Sequence, residues 1–289
     1  MKIESEKILN DIERSISFVD NRSDVIKKLR RLSFTDFVIF LSNLPNSKYP
    51  LLSSKLPKMA DKQVQRDWTG NAGFELLKQS IDFVRTAAFG YSEINKCGLD
   101  GAKVLDFGCG YGRLARLFYY FIEENNFYGV DPWSKSIEIC NEDGLSKNFY
   151  LSDDLPSTLP VGSEKFDLIY AFSVFTHLSN LATTTCLNTL SNYLTDDGIL
   201  LITIRPVEYW ENRISDLGVK ALEMQRLHDS AGFAFVPHNI DPIQGDITYG
   251  DTSITLEWLE SHFPSFVVLK TDYSLHDALQ TYVFLKLRN

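Results

Sequence analysis

The sequence predicts an α/β fold in which helices cover a mostly parallel, seven-stranded sheet whose last strand runs antiparallel, with a helical extension in front of it. Three observations predict this. From about residue 100, short β-branched or aromatic runs alternate with helical stretches, the pattern of a parallel sheet covered on both faces. The last two apolar runs, Phe266–Thr271 and Gln280–Leu287, are separated by only about eight residues, too few for a crossover helix, so they should pair antiparallel. Residues ahead of about 95 carry apolar positions at helical spacing instead.

The elements follow in order. Ile8, Ile12 and Ile16, then Val25, Leu29 and Leu32, mark helices that end at Leu44-Pro45. Pro45 to Asp67, with Pro45, Pro50 and Pro57 among serines and lysines, has the composition of an irregular connection, and Gly73 to Phe89 returns to helix. Strands are expected near Lys103–Phe107, Asn126–Val130, Lys147–Leu151, Phe166–Ala171 and Gly198–Thr203, and helices at Arg113–Glu124, Lys135–Asn141 and Ala182–Tyr193, as a row of βα units. Residues 206–250 break the rhythm with a helical, then Pro/Gly-punctuated insertion, before a helix at Leu256–His262 and the two closing strands. The expected division is an extension over 1–95 and an α/β domain over 96–289 with a lid-like insertion at about 206–250.

Composition narrows the function. With 44% hydrophobic residues in 289, the chain can bury a full core and is not a disordered protein. Its 38 acidic and 29 basic residues leave a formal charge of -9, which disfavours a nucleic-acid partner. The start intersperses charges and has no secretory signal, and the longest apolar segment, Phe34 to Leu44, falls well short of the roughly 20 residues of a membrane helix. Cys97, Cys109, Cys140 and Cys186 are scattered without metal-ligand spacing. The expectation is a soluble, cytoplasmic protein with reduced thiols and no metal.

The sharpest motif is Val104-Leu105-Asp106-Phe107-Gly108-Cys109-Gly110-Tyr111-Gly112-Arg113, an apolar strand running into alternating glycines and a helix. Such glycines let the backbone turn tightly and approach a ligand at the carboxyl edge of the sheet. A second strand ends in Asp131, 23 residues after Gly108, where a carboxylate can accept both hydroxyls of a ribose. Together they point to an adenosine-containing cofactor. The dinucleotide fingerprint GxGxxG fails at Arg113, which disfavours NAD.

This pattern, with Asp106 two residues before Gly108, resembles motif I of the class I S-adenosylmethionine-dependent methyltransferases, and the resemblance extends over residues 100–205. It implies a Rossmann-like class I methyltransferase fold and S-adenosylmethionine as cofactor. It also implies that Gly108 and Gly110 cradle the methionine and ribose portions and that Asp131 holds the ribose. Of the following Pro132 and Trp133, one would lie against the adenine, with Trp133 offering a stacking face. Ser152-Asp153-Asp154-Leu155 closes the third strand, where family members read the adenine edge with an acidic side chain and a backbone amide; Asp153 and Asp154 stay open alternatives. Phe166 to Leu178 resembles the fourth-strand motif, with cofactor-facing residues such as Phe172 at its end, and Leu194 to Ile202 matches the turn and fifth strand. The Asn/Asp-Pro-Pro-aromatic motif of nucleobase and glutamine amino-methyltransferases is replaced by Ala171-Phe172-Ser173-Val174, which argues against such acceptors.

Methyl transfer from a sulfonium is an in-line displacement, and a hydroxyl acceptor benefits from a general base. His177, just past the fourth strand, is the first candidate, because similar methyltransferases of natural-product sugars place a histidine there; His238 in the insertion is the second. The insertion also holds Tyr209, Trp210, His228, Tyr249 and Asp251, whose aromatics suit sugar faces or a small core of their own. Arg66-Asp67-Trp68-Thr69-Gly70 is placed to close over the methionine end of the cofactor, with Arg66 or Arg113 for its carboxylate, or to pack the extension onto the domain. The SVFTHL stretch and Tyr249–Ser253 resemble bacterial enzymes that decorate surface polysaccharides or glycosylated metabolites, which implies O-methylation of a glycan or small-molecule hydroxyl. The alternative is a catalytically silent cofactor-binding scaffold. In either case the N-terminal helices are candidates for a homodimer or biosynthetic-partner contact.

Overall fold

The computed structural model describes residues Ile3–Arg288. The chain forms two compact units, one taking it up to Lys103 together with Cys109–Leu151, the other Val104–Gly108 together with Ser152 onward.

The first unit opens with α1 (Ile3–Ser15), α2 (Arg22–Leu29) and α3 (Phe34–Ser42). Side-chain caps start the second and third: Asn21 accepts the Asp24 N–H and Ser33 the Asp36 N–H, satisfying amides a helix start leaves open. The connection expected to be irregular contains two more helices, α4 (Pro50–Lys55) and α5 (Lys62–Thr69). Pro50 stands in the first turn of α4, where its missing N–H costs nothing. Asp61 caps α5 through the Gln63 and Val64 amides, and Gly70, at φ +71°, ends it. The long α6 (Phe74–Asn95) leads to β1 (Val104–Phe107), which belongs to the second unit.

The first unit resumes with α7 (Arg113–Phe118), β2 (Phe127–Asp131), α8 (Ser134–Glu142) and β3 (Phe149–Leu151). The helix after the glycines is therefore shorter than the expected 113–124; turns and a 3-10 segment at Glu124–Asn126 follow it. Its end is held by the extension. Arg30 donates to the carbonyls of Tyr119 and Ile122, the Tyr120 hydroxyl donates to Leu32 O, and Phe34 packs against the rings of Tyr120 and Phe121. A cation at open helix-end carbonyls is the favourable polarity.

The second unit contains β1, β4 (Phe166–Ala171), α9 (Asn180–Ser191) and β5 (Leu194–Ile204). Residues 152–165 between β3 and β4 hold no helix, so the row of βα units is interrupted there. The insertion then forms α10 (Glu208–Glu211), α11 (Ile214–Leu217), α12 (Val219–Ala231) and two strands not foreseen, β6 (Phe233–Pro237) and β7 (Gly250–Ile254), which pair antiparallel. The strand β7 reads Gly-Asp-Thr-Ser-Ile, too polar to announce itself, yet all five residues are buried. Helix α13 (Leu256–His262) and the hairpin β8 (Phe266–Ser274) and β9 (Asp277–Leu287) close the chain.

The strands order as β3-β2-β1-β4-β5-β9-β8; β9 is antiparallel to β8, as the short final connection predicted, and also to β5. The central strands are largely apolar because both faces are covered: β1 is buried at every position, Asp106 included, and β5 from Gly198 to Ile204. This is the Rossmann-like fold the sequence predicts, a mixed, mostly parallel sheet with helices in front of it in the chain. Among the described residues no helix is long and apolar enough to cross a membrane.

Candidate functional site

At the carboxyl end of β1 the chain turns through Gly108, Gly110 and Gly112, all at positive φ. Gly108 has no room for a side chain: at φ +79°, a Cβ would lie 2.5 Å from Val174 Cγ2 in the segment after β4. A Cβ on Gly110 would lie 3.2 Å from the Trp68 ring. The loop's carbonyls are held by a residue the sequence did not single out. Arg116 is fully buried and donates from Nη1 to the carbonyls of Tyr111 and Gly112, both at 2.7 Å, from Nε to Lys58 O at 2.6 Å, and from Nη2 to Asp143 Oδ2 at 2.8 Å. Burial pushes the guanidinium down and the Asp143 carboxyl up, the cost of taking the pair out of water. In RLARLF nothing local distinguishes it from a solvated helix arginine.

Asp131 ends β2 and is buried, its Oδ2 accepting the Gly110 N–H at 2.8 Å and its Oδ1 the Trp133 N–H at 2.9 Å. The carboxylate thus bridges the Gly110 amide of the glycine loop and the Trp133 amide that follows β2. Pro132 is exposed, and Trp133 is half exposed with one face stacked on Trp68 at 4.3 Å and 21°. Trp68 also donates to Ser136 Oγ at 3.0 Å and meets Tyr111 edge-on. Helix α5 therefore lays Trp68 beside the glycine loop. Arg66 is exposed, whereas Arg113 reaches α6, where Nη1 donates to Ser80 Oγ at 2.6 Å and Gln79 Oε1 at 3.1 Å.

In the second unit Asp106 is buried within β1, in register with Tyr170 of β4. Asp153 and Asp154 are exposed and Leu155 is partly covered; Phe172, just past β4, is buried edge-on against Tyr282.

The other polar centre of that unit joins His177 to the insertion. The segment after β4 pairs with β7: Gly250 N–H donates to His177 O and Thr252 N–H to Thr176 O. This pairing brings Asp251, only 4% exposed, between two arginines, with Arg205 Nη1 at 2.8 Å from Oδ1 and Arg213 Nη1 at 2.8 Å from Oδ2. Burial raises the Asp251 carboxyl, but the Tyr209 hydroxyl and both guanidiniums outweigh it and bring the pKa down to about 2. Arg205 stacks over the Tyr209 ring at 3.9 Å.

Both ring nitrogens of His177 are engaged. Nδ1 lies 2.7 Å from Gly250 O, so it carries the proton and donates; Nε2 then accepts from Arg205 Nη2 at 3.2 Å. Burial and the Arg205 charge lower its pKa to about 4 against the pull of Gly250 O and Asp251. His238 is more open, with a side chain 42% exposed, and its Nε2 lies 3.4 Å from Asp251 Oδ2. The Tyr249 ring stacks on His177 at 5.0 Å and 11°, meets His238 edge-on, and is 44% exposed. Among the described residues no cluster of histidines, cysteines and carboxylates is arranged to hold a metal ion.

The depressed His177 pKa makes stability depend on pH. Its ordinary value is 6.5 and its folded value about 4, so between these the unfolded chain binds more protons and stability falls as the pH drops. Urea unfolding of the wild type is expected to lose about 3 kcal/mol more than His177→Gln between pH 7 and pH 4. Asp251 titrates lower, so its own contribution fades only below pH 4. Parallel pH profiles for the two proteins would show that the His177 ring is not held neutral in this way.

Comparisons with known proteins give the family. A family model described as a methyltransferase domain matches residues 56–234. Among solved structures, the chain is similar to an S-adenosylmethionine-dependent methyltransferase from Clostridium acetobutylicum ATCC 824, at 15% identity over 78% of this chain and 97% of that one, with a TM-score of 0.50. It is also similar to magnesium protoporphyrin IX methyltransferase from Synechocystis PCC 6803 (16% identity, 78% and 94% coverage, TM-score 0.48) and to the glycopeptide N-methyltransferase MtfA (10%, 71% and 92%, 0.48). At such identities the likeness concerns the fold alone. No curated protein matches the sequence. Because the family match spans more than half of the chain, across the glycine loop and Asp131, the chain belongs to the methyltransferase-domain family, the class I enzymes that use S-adenosylmethionine.

Proposed function

We propose that this methyltransferase O-methylates a hydroxyl of a carbohydrate or similar small molecule in the cytoplasm, with His238 as general base. The observation that carries the reading is the His238–Asp251 pair beside the half-exposed Tyr249 ring. A carboxylate at Nε2 favours the tautomer with its proton there and leaves Nδ1 to accept one, the division of labour of a His–Asp couple. Asp251 is in turn fixed by Arg205 and Arg213, and an exposed aromatic face suits the C–H face of a sugar. His177 is assigned a positioning role, because its remaining lone pair already accepts from Arg205.

The cofactor residues fit S-adenosylmethionine on two observations. The turn after β1 takes positive φ at three glycines, two of them packed under Val174 and Trp68, and Asp131 is locked in orientation by two backbone amides. On this reading Gly108, Gly110 and Asp131 hold the ribose and methionine portions, Asp106 supports the loop, and Pro132 and Trp133 border the adenine, with Asp153 or Asp154, Leu155 and Phe172 completing its surroundings. When bound, S-adenosylmethionine supplies a methyl group activated on a sulfonium. The chain's own part is to align the acceptor, exclude water and take the hydroxyl proton at His238 Nδ1. The 206–250 insertion, which supplies His238, Tyr249 and Arg213, is proposed to cover the acceptor.

Calorimetric titration with S-adenosylhomocysteine, S-adenosylmethionine and NAD, followed by a mass-shift screen of sugar and metabolite acceptors, tests the proposal. Micromolar binding of the first two with a gain of one methyl on a hydroxyl acceptor is expected. Cofactor binding without transfer to any hydroxyl would overturn the O-methylation reading and favour a silent scaffold. Asp131→Asn is expected to weaken S-adenosylhomocysteine by more than about 1 kcal/mol, through lost charge-assisted bonds to the diol. Unchanged affinity would remove Asp131 from the ribose role.

A further inference from the structure

Ser173, just past the end of β4, stands at φ 60°, a left-handed conformation that a serine keeps only where its surroundings impose it. A chain of side chains in the second unit imposes it. The Ser173 N–H donates to Thr203 Oγ1 at 2.7 Å, the Thr203 hydroxyl donates to Gln280 Oε1 at 2.9 Å, and Gln280 Nε2 donates to Asp277 Oδ2 at 2.7 Å. Thr203 is fully buried and interrupts the otherwise apolar run Ile199–Ile204 of β5. Gln280 is buried on the neighbouring β9, two residues from Tyr282, which faces Thr203 across the ladder. Polar side chains inside a sheet cost stability unless each finds a partner, and here the partners lead to one amide of the turn after β4. What the bend achieves is seen at the next residue. A Cβ on Gly108, the first glycine of the turn after β1, would lie 2.5 Å from Val174 Cγ2, so the valine packs directly on that glycine. The same turn is tied at its other end, where Ser173 Oγ lies 3.3 Å from Thr176 Oγ1 and Thr176 O accepts from Arg205 Nη1.

We infer that Thr203 and Gln280, far in sequence from the glycine motif, are positioning residues for S-adenosylmethionine binding: through the Ser173 amide they hold Val174 as the floor on which Gly108 rests. They act through the backbone of residues 173 and 174, not by contact with the cofactor. Without the Thr203 hydroxyl the Ser173 amide loses its acceptor, the residue relaxes toward the negative φ that serine prefers, and Val174 leaves Gly108. This role rests on the reading that Gly108 lines the cofactor site, and it is independent of which histidine or which hydroxyl serves the acceptor.

Calorimetric titration of the full-length protein with S-adenosylhomocysteine tests it. Thr203→Val, which keeps the size and removes the acceptor, is expected to weaken binding by about tenfold, the usual penalty for stranding a buried donor. Thr203→Ser keeps the hydroxyl and should stay within about threefold of the wild type. The decisive variant is Thr203→Val/Ser173→Gly. Glycine takes φ 60° without help, so the double variant should return to within about threefold of the wild type. A merely structural role of Thr203 in β5 would not be relieved from residue 173. Where Thr203→Val does not fold, Gln280→Met, which removes the acceptor of the Thr203 hydroxyl, carries the same test, with about a threefold loss expected and the same relief by Ser173→Gly. With Asp131→Asn weakened as expected, wild-type affinity in Thr203→Val, or a loss that Ser173→Gly does not relieve, would overturn the positioning role alone. Wild-type affinity in both Asp131→Asn and Thr203→Val would overturn it together with the reading of the cofactor site.

Discussion

Arg116→Met is expected to destabilise the protein by about 3–5 kcal/mol in urea unfolding, the range for removing one partner of a buried charged network. The methionine fills most of the volume but none of the bonds. Lys58 O, Tyr111 O and Gly112 O lose their donor, and the Asp143 carboxylate loses its cation. Because two of those carbonyls belong to the glycine turn, affinity for S-adenosylhomocysteine should fall as well. The double variant Arg116→Met/Asp143→Asn is expected to recover only the share due to the stranded carboxylate, since the three carbonyls remain unpaired. A loss below about 1 kcal/mol in the single variant would mean that water satisfies these groups and that the arginine is not what holds the turn.

The second large effect is kinetic. With an acceptor in hand, His238→Ala is expected to lower kcat by roughly a hundredfold, the usual worth of a positioned general base, while leaving cofactor affinity unchanged. His177→Gln should lose less than about fivefold, because glutamine can still donate to Gly250 O and accept from Arg205. A hundredfold loss in His177→Gln with an active His238→Ala would return the base role to His177.

The two histidines show what was legible. Both were candidates from sequence, with His177 ranked first on its resemblance and His238 second; the proposal reverses that order because both ring nitrogens of His177 are engaged. Arg205 lies 28 residues from His177 in the chain and Asp251 lies 74 away. Their approach depends on β7 pairing with the segment after β4, and β7 is too polar to be read as a strand. The same distance problem hid Arg116, whose partners Lys58 and Asp143 come from opposite sides of its sequence. Helices α4 and α5 were missed for a different reason, because the prolines and serines in and around α4 resemble a linker until Pro50 is recognised in a first turn and Asp61 as the cap of α5.

By itself the sequence determined the parallel sheet with its antiparallel end, the glycine turn after β1 and the carboxylate ending β2. Each of these rests on local periodicity, on backbone angles only glycine accepts easily, or on fixed spacing along the chain. Only the tertiary structure decided that both ring nitrogens of His177 are engaged, which arginines are buried and what they hold, and that a pocket lies among the helices of the first unit. Those properties depend on desolvation and on charges brought close through space, and a one-dimensional pattern carries neither.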